Sequence, residues 1–80
     1  MTDYIIDIET DGLDATKIHC MSVHNGKSIE TFTKYADMQV FLATVNRLDR
    51  IIGHNFIRYD APVIERILDT NMPCQIVDTL

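Results

Sequence analysis

Tyr4-Ile5-Ile6-Asp7-Ile8 is a short run of mostly apolar residues with one acid inside it and a second, Glu9, directly after it. Such a run predicts a strand, and its nearly continuous apolar character predicts a central one, covered on both faces. Side chains alternate along a strand, so Asp7 and Glu9 leave it from the same face. Two carboxylates held together repel and raise each other's pKa. A divalent cation, which prefers oxygen ligands, removes that cost. The alternative is a solvated pair at a strand end, although acids are depleted in strands and like charges on one face are penalised.

The rest of the chain alternates between strand and helix patterns. Asp11-Gly12 opens a turn that runs to Lys17, and residues 18–24 and 28–33 form two further strands. Between them Asn25-Gly26 predicts an antiparallel hairpin, because both residues tolerate positive φ. Asp37 is the expected N-cap of a helix whose apolar stripe is Val40, Phe41, Ala43, Thr44, Val45 and Leu48. Residues 50–54 read as a fourth strand. Asp60 begins a second helix, with Pro62 in its first turn, Val63, Ile64, Ile67 and Leu68 inward, and Asn71 and Pro73 ending it. Residues 75–78 are a fifth strand. The order β-β-β-α-β-α-β predicts an α/β fold with a mixed five-stranded sheet, a meander followed by crossovers.

Composition narrows the function. Eighty residues with net charge −5 make one small domain without the basic footprint of a stand-alone nucleic-acid binder. Affinity for a long polynucleotide would come largely from other domains or subunits, while an acidic site could meet phosphate through bound cations. A chain this short buries roughly 60–65% of its unfolded surface, so a metal or a partner is expected to help it. Asp3 and Asp7 interrupt the only early apolar run, and no stretch approaches the roughly 20 apolar residues of a membrane span. Cys20 and Cys74 lack C-x-x-C spacing, which predicts reduced thiols and a cytoplasmic setting.

A second constellation is Gly53-His54-Asn55-Phe56-Ile57-Arg58-Tyr59-Asp60. With a central first strand and the fourth beside it, the loop after Ile52 arrives next to Asp7, and three carboxylates meet at one sheet edge. Asp60 as a mere helix cap explains Asp60 but not His54-Asn55 or Arg58-Tyr59. Glu65, Arg66 and Asp69 read as the wet face of the second helix, and His24 as an exposed turn residue. The methionines form no stripe and read as filler. Thr79 looks like the cap of a following helix.

These residues resemble a known family. Asp7-Ile-Glu9-Thr10-Asp11-Gly12-Leu13-Asp14 resembles the first motif of the DEDD, or DnaQ-like, 3′→5′ exonucleases, most closely the proofreading domain of family A DNA polymerases. His54-Asn55-Phe-Ile-Arg58-Tyr59-Asp60 resembles the second motif in the H-N-x-x-R-Y-D form of phage T7-like polymerases, and Val77-Asp78-Thr79-Leu80 the D-T-L that follows. The resemblance implies an RNase H-like fold and removal of the terminal nucleotide from a single-stranded DNA 3′ end as a 5′-mononucleotide. Asp7, Glu9 and Asp60 would be both catalytic and ligands of two Mg²⁺ or Mn²⁺ ions. Thr10 would hold the terminal sugar and Leu13 would wedge against the last base, with plain core filler as the alternative for Leu13. Asn55, Arg58 and Tyr59 would steer the scissile phosphate, with a solvated charge as the alternative for Arg58. The third motif, Y-x-x-x-D or H-x-x-x-x-D, which carries the fourth acid, is not among residues 1–80. The chain therefore reads as one partial exonuclease domain, truncated before the helices that carry that motif. The rest of a polymerase polypeptide or another chain would complete it, in a bacterium or a phage-infected cell. One sheet face is then left poorly covered and open to self-association. A non-catalytic remnant that binds nucleic-acid ends, a nucleotide or a polymerase, and a purely structural module, are the rival readings.

Overall fold

The structure, a computed structural model, describes residues 1–79; Leu80, the last residue of the third match above, lies outside the described residues. Five strands and two helices follow the expected order: β1 (Asp3–Thr10), β2 (Ile18–His24), β3 (Ile29–Phe32), α1 (Tyr35–Thr44), β4 (Arg50–Gly53), α2 (Ala61–Leu68) and β5 (Gln75–Asp78). They form one mixed sheet in the order β3-β2-β1-β4-β5. β1 lies in the middle, antiparallel to β2 and parallel to β4. This is an RNase H-like α/β arrangement. No helix among the described residues is long and apolar enough to cross a membrane.

Register explains which residues meet the helices. Ile6 and Ile8 stand opposite Val23 and Met21, Tyr4 opposite Ile51, and Ile51 opposite Ile76. That face carries the core, closed by Met38 and Leu42 of α1 and by Ala61, Ile64 and Leu68 of α2. Phe41 of α1 packs edge-on to Tyr4 and stacked on Phe32, with ring centroids 5.3 and 5.7 Å apart. The two helices are tied together by Gln39 Nε2, which donates to the Leu68 carbonyl at 3.0 Å. The opposite face carries Ile5, Asp7 and Glu9, and all three are exposed. The expectation that β1 is covered on both faces is therefore corrected: β1 is central in order, yet both helices pack on one side. The two acids break the apolar run on the side that stays open.

Several boundaries also move. Asp37 lies in the first turn of α1 rather than at its N-cap, which is Lys34 with no side-chain cap bond. The helix starts earlier because the Tyr35 hydroxyl, which accepts from Ile18 N–H at 3.0 Å, anchors its first turn to β2. The inward positions are accordingly Met38 and Leu42, whereas Val40 and Leu48 are exposed. At the hairpin only Gly26 has positive φ; Asn25 Oδ1 accepts from the N–H groups of Lys27 and Ser28 and builds a longer turn. α2 stops at Leu68, not at Asn71 or Pro73, because Asp69 takes a left-handed conformation (φ 52°). Its outer face is not simply solvated. Arg66 donates to the Ala15 carbonyl at 2.5 Å, and Glu65 accepts from Met72 N–H at 3.1 Å. Thr79 N–H extends the sheet by donating to the Gly53 carbonyl at 3.0 Å, and the helix it is expected to cap would lie outside the described residues.

Candidate active site

Three segments converge at the C-terminal end of β1. The first is β1 itself, where Asp7 and Glu9 stand opposite Ser22 and Cys20 of β2 on the open face. The pairing shifts register between Glu9 and Thr10, a bulge that bends the chain into the next turn. That turn is held from within. The Asp11 carboxylate accepts from the N–H groups of Thr16 and Lys17 and from the Thr16 hydroxyl, and these bonds hold its pKa well below the usual carboxylate range. Arg66 fastens the same turn to α2 through Ala15. Thr10 Oγ1 donates to the Gly12 carbonyl at 3.1 Å, so its hydroxyl serves the turn. The turn holds Leu13 out in solvent at 89% exposure, which excludes core filler as its role.

The second segment is the loop from β4 to α2. Gly53 ends β4 with its Cα close against Phe56: a Cβ there would stand 2.8 Å from both Cβ and Cγ of the ring residue. Asn55 then takes a left-handed conformation (φ 53°, ψ 34°), which Asn tolerates better than most side chains. Its Oδ1 is enclosed, with no hydrogen-bond partner among the described residues. Phe56–Asp60 forms a single π-helical turn, a wide turn found frequently at functional sites. Phe56 is fully buried and anchors the turn, while Ile57, Arg58 and Tyr59 are exposed.

Asp60 closes that turn. Its side chain does not cap α2. It turns toward β1 instead, where Asp60 and Ile8, the residue between the two β1 acids, line one cavity. The β1–β4 pairing covers only Asp3–Ile5 of β1 among the described residues, which leaves this stretch of β1 for Asp60 to meet. Partial burial pushes the Asp60 carboxyl up to about 6; Asp7, Asp78 and Glu9 push it in the same direction, and the backbone at Ile8 opposes them. A carboxyl so placed keeps its proton well above the ordinary carboxylate range, as the acids of functional sites often do.

The third segment is the end of β5. Asp78 pairs with Gly53 across the sheet, and its Oδ2 accepts from Ile57 N–H at 2.9 Å. Beside it the Thr79 hydroxyl lies 3.3 Å from His54 Nδ1. The sequence reading takes Asp78 only as part of a D-T-L match and misses it as one of the three acids felt by Asp60. The available signal was topological. A fifth strand parallel to β4 must end beside the loop that leaves β4.

A cavity of about 300 Å³ opens against Asp60, with Ile8, Leu13, Tyr59 and Val63 as apolar walls and Thr10 and Gly12 at its edge. It is large enough for a planar ring, with a carboxylate at one side. The donors around it are hard oxygens, which suit Mg²⁺ or Mn²⁺ rather than thiolate metals. Their chemistry fits such ions, although among the described residues no three His, Cys, Asp or Glu side chains are gathered closely enough to hold one. Cys20 and Cys74 are free thiols, and Cys20 stands opposite Glu9 on β2.

No curated protein matches the chain. The family model of the RNase H superfamily matches residues 4–80, nearly the whole chain and all three converging segments. The chain belongs to the RNase H superfamily.

Proposed function

We propose that this chain is the N-terminal part of a metal-dependent 3′→5′ exonuclease domain that proofreads DNA, working with a polymerase in the cytoplasm of a bacterium or a phage-infected host. One observation carries the reading. The Asp60 carboxyl, distant in sequence, lines one cavity with Ile8, the residue between Asp7 and Glu9, and its pKa is raised by burial and by both acids. A purely structural domain gains nothing from that repulsion.

Asp7, Glu9 and Asp60 would hold two Mg²⁺ or Mn²⁺ ions. Such ions supply Lewis acidity and neutralise charge that builds on the phosphoryl oxygens. The chain's own residues do the rest. The cavity between Leu13, Tyr59 and Val63 takes the terminal base edge-on to Asp60. Thr10 and Gly12 offer backbone to the terminal sugar. Arg58 is exposed two residues before Asp60 and brings positive charge to a site that otherwise repels phosphate. Asn55 sets the bend that places all three residues of Arg58-Tyr59-Asp60.

The test is degradation of a 5′-labelled single-stranded DNA oligonucleotide with Mg²⁺ or Mn²⁺, by the chain alone and joined to its downstream-encoded segment. The expected product is a ladder shortened from the 3′ end. Asp7→Ala should slow it at least about a hundredfold, the ~3 kcal/mol scale of a lost transition-state charge contact. No degradation by either form ends the reading. A second reading, a non-catalytic domain that binds nucleic-acid ends or a polymerase, rests on the absence of a closed metal-holding group among the described residues. It predicts oligonucleotide binding without turnover in the same assay.

A further inference from the structure

The acid at the end of β5 has a task that the proposed chemistry leaves unassigned. The π-helical turn Phe56–Asp60 begins without local support. Its N-cap residue, Asn55, makes no side-chain cap bond and is left-handed. The opening amides of any helical turn have no partner inside it. Here a carboxylate from another strand, 21 residues along the chain, supplies one: Asp78 Oδ2 accepts from Ile57 N–H at 2.9 Å. An anion is also the favourable charge at the N-terminal end of such a turn. The strand that carries Asp78 is fixed on the other side. Gly53 and Asp78 are register partners, and Thr79 N–H donates to the Gly53 carbonyl at 3.0 Å. Asp78 thus stands on a rigid ladder and grips the loop just past the point where it leaves that ladder.

The grip is transmitted to Asp60 through only three residues. Phe56 is buried and cannot slide, Asn55 is held left-handed, and the turn then runs from Ile57 to Asp60. The geometry points to Asp78 as the positioning residue of the site: by holding Ile57 N–H it fixes the π-turn so that Asp60 stands beside Ile8, between Asp7 and Glu9. The role is one of orientation, and the hydrogen bond rather than the charge performs it. As an account of how the active centre is built it rests on the exonuclease reading, but the placement of Asp60 is measurable without any activity.

The experiment is amide NMR on the full chain and two variants. Asp78→Asn keeps an oxygen acceptor for Ile57, whereas Asp78→Ala removes it. In Asp78→Ala the Ile57 amide should exchange at least about tenfold faster, as an opened local bond does, and the Ile8 amide signal should shift as Asp60 moves away from it. Asp78→Asn should keep both signals near their original positions. If Asp78→Ala does not fold, Asp78→Ser, whose hydroxyl falls short of Ile57, gives the same comparison. An unmoved Ile8 amide in the Ala or Ser variant overturns the proposal, as does an Asn variant that behaves like Ala. Titrating the unaltered chain with Mg²⁺ separates the two ideas. Failure of the Asp7, Ile8 and Glu9 amides to respond counts against the metal-dependent reading and leaves the Asp78 result standing by itself.

Discussion

Phe56→Ala is expected to remove a large share of this chain's stability. Phe56 is wholly buried, in one core with Ile6, Ile8, Met21, Ile51 and Ile64. Truncating a buried phenylalanine costs about 3–5 kcal/mol, from lost burial and the cavity left behind. A domain of this size has only about 4–12 kcal/mol to lose. Gly53→Ala attacks the same contact from the other side, because the added methyl would stand 2.8 Å from the Cβ and Cγ of Phe56. The ring cannot retreat from a filled core, so the cost should be about 1–3 kcal/mol. Urea denaturation of the two variants checks both. A Phe56→Ala protein as stable as the parent would show that the ring is not the anchor of the loop that ends in Asp60.

The second large effect is a gain. Asp60→Asn should make the protein more stable at neutral pH while removing metal-dependent hydrolysis. The Asp60 carboxyl sits at about 6 in the fold against 3.8 in the unfolded chain, chiefly because it is partly buried and then because of Asp7. The folded state therefore holds this proton more tightly than the unfolded state does. The penalty is absent below about pH 4, grows as pH rises toward 6, and is complete above that. Two pK units correspond to about 3 kcal/mol, which solvent screening of a half-exposed group reduces to about 1–2 kcal/mol. Asparagine keeps the shape of the side chain and carries no charge. Denaturation at pH 4 and at pH 7.5 should show no gain at the first and that gain at the second. Equal stability at both values would mean that Asp60 is not strained by its neighbours.

The fold was readable because its signals are local. The apolar run at Tyr4–Ile8, the Asn25-Gly26 turn and Pro62 in the first turn of α2 each mark an element by backbone preference alone. What escaped depends on contacts across the chain. α1 begins at Tyr35 because a hydroxyl finds Ile18 N–H, which no helix-start signal encodes. The faces of β1 were misjudged because isoleucines occur on both, and only the register shows that Ile5 lies with the acids. Asp60 drew notice through its neighbours in the motif. Asp78 did not, because its partner Ile57 is 21 residues away and apolar. Arg66 likewise looked like solvated charge until Ala15 appeared beside it.

The meeting of acids from distant parts of the chain at β1 is tested most directly by carbon-detected NMR titration of the Asp60 carboxyl, in the unaltered chain and in Asp7→Asn. The arrangement described predicts a midpoint near 6 that falls when Asp7 loses its charge. A midpoint at the ordinary aspartate value of about 3.9, unmoved by Asp7→Asn, would contradict it.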